Sequence, residues 1–105
     1  MQFVETLIFT KEIRAALPDD QYRALQMALA LRPEQGAIIP GSAGLRKLRW
    51  GGKGRGKSGG FRFIYYWHKE TETIYMLYVY AKNRQEDLTP EQRKLLSRIV
   101  REEFK

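Results

Sequence analysis

Lys47, Arg49, Lys53, Arg55, Lys57 and Arg62 crowd one stretch of the chain, GLRKLRWGGKGRGKSGGFRFIYYW from Gly44 to Trp67. Between Glu34 and Glu70 there are eight Lys/Arg residues and not one carboxylate. The other eleven basic residues are cancelled by twelve acidic ones, so the formal net charge of +7 comes from this segment alone. A field that concentrated, with aromatic rings beside it, suits a polyanion, and nucleic acid is the commonest. The chemistry open to such a group is the stabilisation of charge on a phosphodiester.

Arg62 is the sharpest single candidate. A long cation in the middle of a strand is expensive unless it is paired or faces solvent. It either snorkels over Tyr66 or clamps a scissile phosphate from a rigid support. Tyr80, Lys82 and Asn83 cluster where the last predicted strand ends. If that strand forms a hairpin with the one carrying Arg62, Tyr80 falls beside Arg62 and one pocket collects them all. Ordinary sheet packing is the other reading of Tyr80. The loop Gly51–Gly60 matches the pattern GxxxxGK[ST] through Gly56, Lys57 and Ser58. A phosphate loop of that kind needs a helix after it, and here a strand follows, so nucleotide hydrolysis is set aside. The loop reads instead as a phosphate grip in which glycines let backbone N–H groups approach the anion beside Lys53, Arg55 and Lys57.

Other chemistries lack their residues. His68 is the one histidine, placed at a turn, so a two-histidine acid–base pair is impossible. There is no cysteine, and neither a metal site nor a cofactor is expected. The acids Asp19, Asp20, Glu102 and Glu103 read as solvated charges at helix ends. No apolar run is long enough to span a membrane, the N-terminus has no basic leader, and a cytoplasmic location is the expectation.

These residues need a frame, and a chain of 105 residues supplies one domain, 1–105. Phe3–Phe9 reads as a strand buried on both faces. Thr10 is placed to cap a short helix over Lys11–Leu17, and Pro18-Asp19-Asp20 restarts the chain into a second helix ending near Leu31. Glu34–Ala43 reads as a connector. Leu45–Trp50 alternates as a strand, with Leu45, Lys47 and Arg49 on one face and Arg46, Leu48 and Trp50 on the other. Phe61–Trp67 and Ile74–Ala81 are strands joined by a short turn. Thr89-Pro90-Glu91-Gln92 opens a last helix toward Phe104, with Leu95, Leu96, Ile99 and Val100 at helical spacing. The fold class is α+β: a small antiparallel sheet in the order strand, helix, helix, three-strand meander, helix. The helical pair should cover one face and leave the face bearing Arg62 at least partly open.

The segments FVETLIFTKEI, DDQYRALQMALALRPEQGAIIPGSAGLRKLRW, GKGRGKSGGFRFIYYW and YVYAKNRQEDLTPEQRK resemble the RelE/ParE superfamily of toxins from bacterial toxin–antitoxin modules, and most closely its HigB-type branch. The resemblance spans nearly the whole chain. It implies a RelE-like fold and a toxin that enters the ribosomal A site and cuts translated mRNA without metal, the 2′-OH attacking the adjacent phosphate. It also implies a cognate helix-turn-helix antitoxin of the HigA type. Lys47 and Arg49 match the family's basic residues on the strand before the loop, Arg62 its phosphate-binding arginine, and Lys82 a basic residue after the last strand. Asn83 stands where RelE-like members have a further arginine. Asp87-Leu88 occupies the region where they have a tyrosine base. In this reading Arg62 and Lys57 stabilise the phosphate, Lys47 and Arg49 position the backbone, and Tyr80, Lys82 and Asn83 handle protons and orientation. The substitute base is Tyr80 or a lysine, its pKa lowered by the crowded cations. A gyrase inhibitor of the ParE kind and a plain RNA-binding module are the alternatives.

Overall fold

The computed structural model describes residues 1–51 and 60–104. In chain order its elements are β1 (Gln2–Glu5), α1 (Leu7–Ala16), α2 (Asp19–Leu31), β2 (Ala37–Ile38), β3 (Arg46–Trp50), β4 (Phe61–His68), a single 3₁₀ turn (Lys69–Thr71), β5 (Thr73–Ala81) and α3 (Pro90–Phe104). The five strands form one sheet in the order β1-β5-β4-β3-β2. All neighbours are antiparallel except β1 and β5, which run parallel. The expected α+β architecture is present, with β2 as an addition inside the predicted connector.

One boundary differs from expectation. The predicted strand Phe3–Phe9 ends at Glu5, and the helix begins at Leu7. Thr6 is the reason: its hydroxyl accepts from the Phe9 N–H (3.1 Å) as the N-cap and donates to the Leu77 carbonyl (3.0 Å). Leu7, 91% exposed, and the exposed Ile8 form the outward first turn of α1, and only Phe9 is core. Thr10, the expected cap, sits inside the helix and donates to Glu5 Oε1. Nor is β1 buried on both faces; it lies at the edge of the sheet, its residues exposed or half-buried.

The sheet has a packed layer on each face. The α1–α2 pair covers one with Phe9, Ile13, Leu17, Leu25 and Leu29, against Leu48, Phe63, Tyr65, Ile74, Met76 and Val79. On the other, α3 brings Leu96 and Val100 onto Leu45, Ile64, Leu77 and Tyr80. Each buried aliphatic or aromatic side chain contributes roughly 1.5–3 kcal/mol, so a domain this small depends on every one. The far end of α3 is held by rings: Phe104 lies 4.5 Å from Tyr75, 5.0 Å from Tyr66 and 5.1 Å from His68, centroid to centroid.

The β4–β5 pairing contains a bulge. Tyr65 faces Met76, but Ile64 faces Tyr78, so β5 carries one extra residue, Leu77. In an unbulged ladder of the same sequence Arg62 would face Val79. With the bulge, Arg62 faces Tyr80, and Tyr80 joins the α3 side while Val79 enters the layer under α1 and α2.

Candidate nucleic-acid interface

Three adjacent strands carry the candidate residues on one side of the sheet. On β3, Leu48 and Trp50 pack under the helical pair, so Lys47 and Arg49 point the other way. Cross-strand pairing then sets Arg49 opposite Arg62, and Arg62 opposite Tyr80. Arg49, Arg62 and Tyr80 therefore form a row across β3, β4 and β5, with Lys47 one pleat further along β3. Arg62 lies on the α3 side, away from the helical pair. It is more enclosed than an open face predicts, at 6% exposed, and its guanidinium reaches the Phe61 carbonyl at 3.5 Å.

Lys82 stands at the foot of the loop, where its N–H donates to the Gly60 carbonyl (3.0 Å). Its ammonium is 4.0 Å from Glu86. Gly60 has φ +66°, and a Cβ there would strike the backbone of Trp50 and Gly51, so only glycine closes this junction. Asn83 is exposed on the following turn. Lys53, Arg55 and Lys57 lie outside the described residues.

Sequence reasoning missed one member of the cluster. The chain leaving β5 crosses back over the sheet and brings Asp87 to Lys47, with Nζ to Oδ1 at 2.6 Å. The Asp87 side chain is 68% exposed. Its carboxyl is held below the usual carboxylate range by the hydrogen bond and charge of Lys47, with Arg62 and Arg49 adding to the effect. Its loop position before a helix start looks like ordinary solvated charge, and only the long-range contact with Lys47 distinguishes it.

Tyr80 is 6% exposed, and its hydroxyl has no hydrogen-bond partner among the described residues. Burial pushes its pKa up to about 12; Asp87 and Tyr78 push the same way, and Arg62 only partly opposes them. The expected lowering by cations is therefore reversed, because desolvation of the phenolate outweighs a neighbouring guanidinium. Tyr80 is poised to keep or give a proton and not to take one. His68 lies at the opposite end of β4, hydrogen-bonded to Thr71 (2.8 Å), as its turn position predicts. Among the described residues no group of His, Cys, Asp and Glu is arranged to hold a metal ion, and no helix is long and apolar enough to cross a membrane.

A mixed sheet with a helical pair on one face, and a row of cations ending in a buried phenol on the other, defines a small α+β domain with a cationic face. The family model described as RelE toxin of RelE / RelB toxin-antitoxin system matches residues 3–105. The chain belongs to this toxin family. Its fold is similar to that of RelE in the intact E. coli RelBE toxin–antitoxin complex: TM-score 0.56, 18% identity, covering 73% of this chain and 90% of that one. It is similar also to a free E. coli RelE with two arginines replaced by alanine: TM-score 0.57, 18% identity, covering 80% of this chain and 85% of that one.

Proposed function

We propose that this protein is a ribosome-dependent mRNA endoribonuclease of the HigB-like branch, which stops translation by cutting mRNA in the A site. The observation that carries this reading is the row of Arg49, Arg62 and Tyr80 beside Lys47: three cations and a buried phenol brought together on one side of the sheet. Lys47 and Arg49 hold the RNA backbone. Arg62, with Lys57 from the loop, stabilises charge on the phosphate as the 2′-oxygen attacks. Tyr80, Lys82 and Asn83 orient the leaving side. Lys53 and Arg55 extend the backbone grip, and the ribosome supplies in-line geometry that the protein alone does not impose. A cognate antitoxin neutralises the toxin, as the RelBE complex of the similar RelE suggests; a HigA-like helix-turn-helix protein is the proposed form.

Brief expression followed by mapping of mRNA 5′ ends tests the reading. New ends confined to translated frames support it. Intact mRNA with a DNA-damage response would replace it with gyrase inhibition.

A further inference from the structure

We infer that Asp87 is the general base of the cleavage reaction, taking the 2′-OH proton, with Tyr80 as the proton donor on the opposite side of the phosphate. This rests on the mRNA-cleavage reading above. The geometry begins with strand spacing. Neighbouring strands lie about 4.8 Å apart, so β3 and β5 are roughly 10 Å apart with β4 between them. Arg62 on β4 faces Arg49 on one side and Tyr80 on the other. Lys47 on β3 holds Asp87 at 2.6 Å. A phosphate gripped by Arg62 therefore has a carboxylate on its β3 side and a phenol on its β5 side. In-line displacement needs a base and an acid on opposite sides of phosphorus.

The two environments push these groups apart. Lys47, Arg62 and Arg49 keep Asp87 ionised, while burial keeps Tyr80 protonated. Lys82, Arg84 and Glu86 are the charged neighbours on the segment that carries Asp87. The Tyr80 hydroxyl, buried and without a partner, is the kind of group a ligand oxygen satisfies. Substrate binding also sharpens the base. The phosphodiester competes for Lys47 and places a negative charge beside Asp87, and both effects raise its proton affinity. The step balances. The Asp87 carboxylate accepts the 2′-OH proton as the O2′–P bond forms. The P–O5′ bond breaks, and Tyr80 gives its proton to the departing oxygen. The products are a 2′,3′-cyclic phosphate and a 5′-hydroxyl, and proton exchange with water resets both side chains.

The test is single-turnover cleavage of mRNA on ribosomes with an open A site, with ribosome affinity measured in parallel. Asp87→Asn is expected to slow cleavage about 10²–10⁴-fold at unchanged affinity. Because Asp87 is solvent-exposed, formate should restore saturable activity to Asp87→Ala. Asp87→His should cleave with an acid limb near about pH 6.5, where the wild type is flat. Wild-type rate in Asp87→Asn, or a loss explained by weaker ribosome binding, overturns the inference. So does a loss with neither formate rescue nor the histidine limb, which would leave Asp87 a counter-ion for Lys47. A wild-type protein that cuts no mRNA defeats the nuclease reading itself, and the inference with it.

Discussion

Replacing Arg62 by methionine separates fold from chemistry. Arg62 sits opposite Arg49 across β3 and β4, and like charges directly opposed in a sheet cost roughly 0.2–1 kcal/mol. Methionine keeps the length of the stem and fills the site between Tyr80 and the β3 strand. The variant is relieved of that repulsion but loses the bond to the Phe61 carbonyl and the attraction of Asp87, so its stability should stay within about 1 kcal/mol of the parent, a Tm change of no more than about 4–8 °C. The reaction should change far more. A preorganised donor aimed at developing oxyanion charge is worth about 2.7–4 kcal/mol, or 10²–10³ in rate. Losing Arg62 also drives the Tyr80 pKa further up and relaxes Asp87 toward its ordinary range, since the guanidinium lowers both. The measurements are thermal unfolding beside cleavage on programmed ribosomes. A folded Arg62→Met variant that cuts at the wild-type rate refutes the phosphate role. A variant that no longer folds makes Arg62 structural instead.

Tyr65→Phe should cost about 1–3 kcal/mol, because the buried hydroxyl accepts from the Gly36 N–H (3.0 Å) and donates to the Pro33 carbonyl (2.7 Å); urea titration reads the loss. Thr6→Ala should cost about 1 kcal/mol from the cap, with more from the bond to the Leu77 carbonyl. Stability should fall at alkaline pH. Tyr22, Tyr65, Tyr66 and Tyr80 are all pushed above the ordinary tyrosine value, chiefly by burial, and Tyr22 also by its bond to Glu5. Stability is therefore fully present below about pH 10, the unfolded value, and is lost as pH rises above it. Tyr22→Phe should flatten that loss in pH-dependent melting curves.

Much of this frame is written in local pattern. Alternation over Leu45–Trp50 separated Lys47 and Arg49 from Leu48 and Trp50, and Leu48 and Trp50 do lie in the layer under the helical pair. The short turn after His68 brought Tyr80 near the Phe61–Arg62 end, but the bulge at Leu77, which no local pattern announces, set it opposite Arg62. Thr89 does accept from the Gln92 N–H at the start of α3, as its capping pattern predicts. The misreading at Phe3–Phe9 has a plain cause: Leu7 and Ile8 are apolar yet exposed, so hydrophobicity ran past the strand end that Thr6 marks. Asp87 escaped because its partner is forty residues distant, a relation no window along the chain contains. The direction of the Tyr80 shift escaped for the converse reason. Counting nearby cations is possible from sequence, but the desolvation that outweighs them depends on the depth at which the ring is held.

Leu77, the extra residue in β5, makes the pocket depend on arithmetic as well as on chemistry. Every substitution that spares the bulge keeps the phenol pointed at its arginine. Closing the bulge at unchanged chain length would set Val79 opposite Arg62 and turn the Tyr80 ring toward the layer under α1 and α2, whereas loss of Leu77 itself would leave Arg62 facing Tyr80. A slip of one residue between β4 and β5 would thus dismantle the row of Arg49, Arg62 and Tyr80 with each of the three side chains unaltered in type.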